Sequence, residues 1–154
     1  MKVEYIQPFI QAIDSVFSAL STNKTNIGKI ELRQTAFIMQ DTSVIIGFVG
    51  DIKGQAFFTM DELFAKNIAS VLLGGMEVTE LDELVKSAVG ELGNMIMGNA
   101  CTLFYEKGLS VDITPPTILN GEKVRVSNSV PTFYFPVQIE NIGELGFDVT
   151  IIDK

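Results

Sequence analysis

One long segment, about residues 80–107, has the periodicity of a helix and limits the possible folds of this chain more than any other stretch. Two sets of residues separate on a helical projection of about 100° per residue. The core-facing set is Leu81, Val85, Ala88, Leu92, Met95, Ile96, Asn99 and Leu103. The second set lies roughly 140° away and is Ser87, Glu91, Asn94, Gly98, Cys101 and Tyr105. The sequence therefore predicts a helix that buries one face and presents a separate stripe.

Three glycines lie inside this helix, at Gly90, Gly93 and Gly98. Each costs about 1 kcal/mol of helix stability relative to alanine, so a packing or functional reason is expected. Gly90 and Gly98 border Glu91 and Asn94, which leave the helix from the same surface because they are three residues apart. One interpretation is a low-relief surface, with two projecting polar side chains, that a partner approaches closely. The alternative is a solvated face with glycines that mark close packing.

The remaining pattern groups helices between runs of strands. The segments predicted as helices are about 3–20, 60–73 and 80–107, and those predicted as strands are about 29–39, 43–50, 55–59, 109–113, 123–128, 132–140 and 144–152. This grouping indicates an α+β fold with a mostly antiparallel sheet covered by helices. Pro136 lacks an N–H, so it is expected at a sheet edge or a bulge. We expect one domain over residues 1–154.

Local signals set the expected ends of these elements. Thr59 and Thr79 each stand three residues before an acidic residue, which is the spacing of the capping box that begins a helix. Gly74-Gly75 is expected to end the second helix. Asp51–Gly54 is expected to form a hairpin turn, with Gly54 supplying the positive φ that such a turn needs.

Composition excludes several kinds of site. The chain has 154 residues, no histidine and a single cysteine, Cys101. A His/Cys zinc site, a disulfide within the chain and a catalytic triad with a histidine base are therefore excluded. Catalysis would have to use carboxylates, amides, hydroxyls, amines or the lone thiol. Cys101 is expected to be a half-buried filler of the helix and not a redox switch.

The charge balance narrows the range of partners. Eleven Lys and Arg residues stand against nineteen Asp and Glu residues, a formal net charge of −8, and the basic residues are scattered. Nucleic acid and anionic membranes are therefore poor partners, since both require clustered basic residues. No apolar stretch approaches the roughly 18 residues of a membrane span. With no signal peptide predicted either, we expect a soluble, cytoplasmic protein.

The middle of the long helix resembles the signature helix of the CheC/CheX/FliY phosphatases of bacterial chemotaxis. The family pattern is Asp or Ser, three residues, Glu, two residues, Asn and, further along, a Pro. It is filled here by Ser87, Glu91, Asn94 and either Pro115 or Pro116. The stretches 4–10, 47–54 and 74–82 are also similar to the CheX branch, so the resemblance covers most of the chain.

The resemblance implies a reaction and a role for each residue of the pattern. The reaction is hydrolysis of the phospho-aspartate on the response regulator CheY. Asn94 would hold the attacking water in line with the phosphorus, and Glu91 would dock by pairing with the active-site Lys of the regulator. Ser87, Gly90 and Gly98 would contact the partner. No cofactor is implied for the chain itself, because Mg²⁺ belongs to the regulator.

The resemblance also bears on assembly. CheC-like members carry two copies of the signature, whereas this chain has one, which is the CheX-like state and implies a homodimer joined through the sheets. The alternative function is a non-catalytic binding or adaptor module of the chemotaxis or flagellar-switch system. Asn99 lies on the core face, so it is expected to be a buried amide bonded to neighbouring backbone and not a second catalytic residue.

Overall fold

The computed structural model describes residues 3–20, 24–33, 36–127 and 129–153. They form three α-helices, α1 (Ile6–Leu20), α2 (Glu62–Leu72) and α3 (Glu83–Glu106), with a 3₁₀ turn, Val3–Tyr5, ahead of α1. They also form ten strands: β1 (Thr25–Ile27), β2 (Glu31–Arg33), β3 (Ala36–Ile38), β4 (Thr42–Gly50), β5 (Ile52–Met60), β6 (Val111–Ile113), β7 (Thr117–Asn120), β8 (Arg125–Ser127), β9 (Thr132–Ile139) and β10 (Gly143–Asp153).

Eight of the described strands form one antiparallel sheet. Their order is β1-β9-β10-β5-β4-β6, with β2 also paired to β9 and β7 to β4. The long strands β4, β5 and β10 are central, and β5 pairs with β10 from Ile52, opposite Asp153, to Thr59, opposite Gly146. The expected α+β fold with a mostly antiparallel sheet is confirmed.

The three helices cover one face of this sheet. α3 contacts both α1 and α2 and lies against β4, β6 and β7. Phe9 of α1 packs its ring against Phe48, Phe104 and Phe147, with ring centroids 5.4 to 5.8 Å apart. Phe147 also packs against Phe135, at 5.2 Å. This aromatic cluster joins α1, α3, β4, β9 and β10 into one core.

The opposite face of the sheet is covered in part by β3 and β8, which pair with each other. Phe37 and Met39 pack here against Phe57, and the rings of Phe37 and Phe57 meet edge to face with centroids 5.6 Å apart. A second, smaller apolar cluster therefore lies on the side of the sheet away from the helices.

The longer predicted elements are confirmed, and so are the short strands β6 and β8, predicted at 109–113 and 123–128. The expected strand at 29–39 is replaced by two three-residue strands, β2 and β3, while residues 34 and 35 lie outside the described residues. β1 and β7 lie outside every segment predicted as a strand. Both are only three or four residues long, and their pairing with β9 and β4 defines them.

The predicted hairpin turn at Asp51–Gly54 is wrong. β5 already begins at Ile52, and the chain reverses after Gly50, which has a φ of 141°. Gly54 lies inside the strand, where a Cβ would collide with the carbonyl oxygen of Thr150 on the neighbouring β10. Close approach of two strands, and not turn geometry, is the reason for glycine at this position.

The predicted capping threonines are also wrong, although the helices are in place. The side chain of Asp61 accepts a hydrogen bond from the backbone N–H three residues on, at 2.7 Å, and Asp82 does the same for α3, at 3.1 Å. Thr59 lies within β5 and Thr79 precedes α3. The end of α2 is as expected, since Gly74-Gly75 has φ values of 77° and 93°.

Pro136 lies on an interior strand and not at a sheet edge, but it faces a break in the pairing where the flanking chain has one extra residue, which agrees with the expected bulge. β9 is flanked by β10 on one side and by β1 and β2 on the other. Its register with β1 begins at residue 137 and its register with β2 ends at residue 134, so Pro136 faces the gap between them. Its carbonyl accepts a hydrogen bond from Gly28 in that gap, at 2.7 Å. The missing N–H points to the same side, where no strand requires it.

Asp148 of β10 is buried on the face away from the helices. It is 1% exposed, and its Oδ1 lies 3.6 Å from Nη1 of Arg33. Thr132 donates a hydrogen bond to the same oxygen at 3.4 Å, whereas Oδ2 has no partner among the described residues. Burial raises the pKa of Asp148 to about 6, and the nearby Arg33 opposes this shift.

Replacing Asp148 with Asn is expected to stabilise the protein more at pH 7.5 than at pH 4. The folded-state pKa of about 6 lies above the unfolded value near 4, so the wild type loses stability as the pH rises between these values, by up to roughly 3 kcal/mol. The asparagine does not ionise. Urea denaturation of both proteins across this range measures the effect, and a constant difference between them would contradict it.

Candidate functional site

The long helix α3 is fixed at both ends by local hydrogen bonds. Asp82 caps its first turn, and the N–H of Leu109 returns to the carbonyl of Phe104 at the other end, with Gly108 at a φ of 86°. The buried face follows the helical period over its length: Val85, Ala88, Val89, Gly90, Leu92, Gly93, Ile96, Met97, Ala100 and Phe104. This helix is therefore a rigid support for the side chains on its exposed face.

The predicted polar stripe lies on the outer side of α3. Ser87, Glu91 and Gly98 are exposed, and Asn94 is half-buried. Neither Glu91 nor Asn94 forms a hydrogen bond or an ion pair with the described part of the chain. Their positions follow from the packing of the helix, and both polar groups are available to another molecule.

The three helix glycines have different surroundings. A Cβ on Gly93 would lie 3.0 Å from both Val44 and Ile46 of β4, so this glycine lets the helix approach the sheet. A Cβ on Gly90 would lie 3.2 Å from Ile118, whereas one on Gly98 would meet no atom of the described residues within 4 Å. The expectation that Gly90 offers bare backbone to a partner is therefore wrong, because Gly90 is buried by packing. Of the three glycines, Gly98 alone is exposed on the stripe.

The segment before β7 explains how Gly90 is covered. The N–H of Gly47 donates to Oγ1 of Thr114 at 2.9 Å, and the N–H of Thr114 donates to the carbonyl of Gly47 at 2.9 Å. This exchange ties the segment to β4 and brings Pro116 to 3.6 Å from the Cβ position of Gly90. Of the two prolines that could complete the motif, Pro116 is the one that touches the motif helix at Gly90.

Cys101 and Asn99 are the two residues of α3 that are expected to have no catalytic role. Cys101 is half-buried, and burial, followed by the nearby Asp112, raises the pKa of its thiol. A protonated thiol is less reactive, which agrees with a filler role. Asn99 is half-buried, and the described residues offer its amide no hydrogen bond. The expectation of a buried, backbone-bonded Asn99 is wrong, because Asn99 lies at the margin of the buried face.

Sequence reasoning also missed one member of the stripe. Leu84 precedes Glu91 by seven residues, which is two helical turns, so both side chains leave the same side of α3. It is exposed, as is Tyr105 at the other end of the stripe. The seven-residue spacing of Leu84 and Glu91 could have indicated that Leu84 belongs to the stripe. Leu84 lies between Leu81 and Val85, however, and both of these follow the core-facing pattern.

No group of three or more potential ligand residues comes together among the residues that the structure describes. No helix in the same residues is long and apolar enough to cross a membrane.

The described fold and stripe define the class of the protein. It is a layered α+β domain whose candidate site is a rigid helix surface that presents a carboxylate and an amide, and not an enclosed cleft. The chain belongs to the family described as chemotaxis phosphatase CheX, whose model matches residues 42–138.

Similar proteins agree with this assignment. The chain is 35% identical, over 71% of its length and 70% of the relative, to the CheY-P phosphatase CheX of Thermotoga maritima. It matches a chain in the CheX–CheY–BeF₃–Mg²⁺ complex from Borrelia burgdorferi with a TM-score of 0.83 and 29% identity, covering 99% of this chain and 100% of that one. A chemotaxis protein CheX from Desulfovibrio desulfuricans matches in fold, with a TM-score of 0.85, 24% identity and coverage of 97% and 100%.

The different surroundings of the glycines predict opposite effects of alanine. Gly98→Ala is expected to stabilise the protein by about 1 kcal/mol, because the added methyl group meets open space and alanine favours the helix. Gly93→Ala is expected to destabilise it by about 1–3 kcal/mol, because the methyl group overpacks the contact with β4. Thermal unfolding of the two variants measures both effects. A loss of stability in Gly98→Ala would contradict the open space at that position.

Proposed function

We propose that this chain hydrolyses the aspartyl phosphate of a CheY-like response regulator. The observation that carries the proposal is the pair Glu91 and Asn94, which have no partner among the described residues and lie side by side on the rigid α3 of a CheX-family chain. Support comes from the Thermotoga relative, named a CheY-P phosphatase, and from the Borrelia complex of CheX with CheY. The proposed partner is therefore the phosphorylated regulator, and the reaction is that of a phospho-aspartyl protein phosphatase.

Asn94 is the proposed catalytic residue. Its amide oxygen accepts a hydrogen bond from water and its NH₂ group donates one, so it orients a water molecule without changing its own charge. The water oxygen attacks the phosphorus and the bond to the aspartate oxygen breaks, which returns the aspartate of the regulator to a free carboxylate and releases inorganic phosphate. Both protons of the water end on the phosphate, as H₂PO₄⁻. Positioning accounts for most of the catalysis of such a reaction, and a helix-borne amide supplies it.

Glu91 is proposed to dock the regulator. Its exposed carboxylate lies one turn before Asn94, and an active-site lysine of the regulator would pair with it. This contact places the amide over the phosphoryl group. Ser87 and Gly98 are proposed to contact the partner, since both are exposed on the same stripe. The two small residues keep the surface low around the two projecting side chains.

The metal of the reaction is proposed to belong to the partner. The Borrelia complex contains BeF₃ and Mg²⁺ together with CheY, and Mg²⁺ bound by a regulator would neutralise charge on the phosphoryl oxygens. No cofactor of its own is proposed for this chain.

We further propose that residues 1–154 act as one domain in a cytoplasmic homodimer joined through the sheets. The outermost strands of the described sheet, β1 and β6, each pair with one neighbour, which leaves an edge for pairing with a second copy. Sedimentation velocity of the purified protein tests the dimer.

Replacing Asn94 with Ala is expected to lower the catalysed rate of dephosphorylation by about 100-fold or more at saturating regulator, because the attacking water loses its support. Binding of the beryllofluoride form of the regulator should change little. Loss of regulator phosphate in a stopped assay measures the rate. Asn99→Ala is the matched control, since it makes the same chemical change away from the stripe. Unchanged turnover in Asn94→Ala would contradict the catalytic role.

Replacing Glu91 with Gln is expected to weaken binding of the beryllofluoride regulator by about 10-fold, because the partner lysine loses its counter-charge. The effect should shrink at high salt, which screens exposed ion pairs. Glu106→Gln is the control, since it removes one exposed carboxylate near the end of the same helix. Equal affinity of the Glu91 variant and the wild type would remove Glu91 from the docking contact.

A further inference from the structure

A groove lies beside Glu91, between the end of α2 and the first turns of α3. It has a volume of about 360 Å³ and is lined by Leu72, Leu73, Leu84, Ser87, Ala88 and Glu91. Leu84 at its rim is 51% exposed, although the next residue, Val85, is 1% exposed. The helix therefore places one leucine outside the core, at the edge of an apolar depression.

The groove is open because of how α2 ends. Gly74 and Gly75 have positive φ values, and the N–H of Gly75 returns to the carbonyl of Ser70 at 2.8 Å. The hydroxyl of Ser70 donates to the carbonyl of Met76 at 2.6 Å. These hydrogen bonds keep the start of the loop between α2 and α3 against the C-terminal end of α2. None of the lining residues comes from residues 74–82.

We propose that this groove receives an apolar side chain of the response regulator, one that neighbours the lysine paired with Glu91. The inference rests on the proposed function. Glu91 is at the same time the proposed docking residue and the one charged residue that lines the groove. The occupant is therefore an aliphatic or aromatic group next to a cation, a combination that suits a depression lined by three leucines and one carboxylate.

The size of a protein interface supports the same occupant. Leu84 and Glu91 are seven residues apart, which is about 10 Å along the helix. Specific interfaces cover about 800 Å² on each partner, roughly 30 Å across. A regulator held at Glu91 and Asn94 therefore also covers the groove. Burial of the exposed Leu84 would add affinity that the charges of this acidic protein do not supply.

The neighbouring surface disfavours an acidic occupant. Leu73 and Leu84 form a wall shared with a second hollow of about 180 Å³, which Glu77, Glu80 and Asp82 also line. A carboxylate entering the groove would meet these charges together with Glu91. The groove would thus distinguish among regulators by the side chain next to their active-site lysine.

Replacing Leu84 with Ser tests the proposal by titration with the Mg²⁺–beryllofluoride form of the regulator. The expected result is about 10-fold or more weaker binding, with the rate of dephosphorylation at saturating regulator unchanged, because Leu84 does not touch the reacting atoms. Leu84→Met should restore most of the affinity. Leu63→Ser is the matched control, since Leu63 is 65% exposed but lies at the other end of α2.

The outcomes separate this inference from the proposed function. Wild-type affinity in Leu84→Ser overturns the groove as a docking site, whatever the Asn94 variant does. Equal losses in Leu84→Ser and Leu63→Ser also overturn it, because the effect would then not be local. A loss in Leu84→Ser alone supports the groove even if Asn94→Ala keeps its turnover. Failure of the wild type to bind the regulator overturns both proposals.

Discussion

The close approach of α3 to the sheet is the constraint on which the site depends. Gly93 has no side chain, so the helix lies directly on Val44 and Ile46 of β4. On the side of Gly90 the helix is held by Pro116 and Ile118. Because protein interiors are close-packed, these contacts leave the helix little freedom to shift or rotate. The outer stripe is therefore placed by packing, and Glu91 and Asn94 need no bonds of their own to stay in position.

This arrangement suits a reaction in which the active site is divided between two proteins. A chain without histidine cannot supply an imidazole base, and its described residues gather no metal-ligating cluster. In the proposed reaction the phosphoryl group, the metal and the lysine belong to the regulator, and this chain adds an amide and a carboxylate. The net charge of −8 gives no general attraction to an anionic site. Binding must then come from local contacts, of which Glu91 and the groove at Leu84 are the strongest candidates.

Individual elements show which parts of the fold can be predicted from local sequence and which cannot. The three helices and the long strands follow from periodicity, because many side chains repeat the same signal. Local spacing favours Thr59 as the start of α2, but Thr59 belongs to β5, which leaves Asp61 to cap the helix. Local pattern also favours a turn at Gly54, whereas this glycine lets β5 approach Thr150 of a strand almost a hundred residues later in the chain. The position of Pro136 likewise depends on the gap between β1 and β2, which cannot be predicted from the sequence around Pro136.

The order of the amino acids is sufficient to predict the α+β fold class, the long helix and the stripe of Ser87, Glu91, Asn94 and Gly98, since helical geometry fixes which residues share a face. Composition is sufficient to exclude the kinds of chemistry that need histidine or several cysteines. The distinction between Gly90, a packing residue, and Gly98, an open one, requires the folded chain, because the two differ in what other elements bring against them. The same holds for Leu84, whose exposure depends on where α2 ends and how its glycines turn the chain.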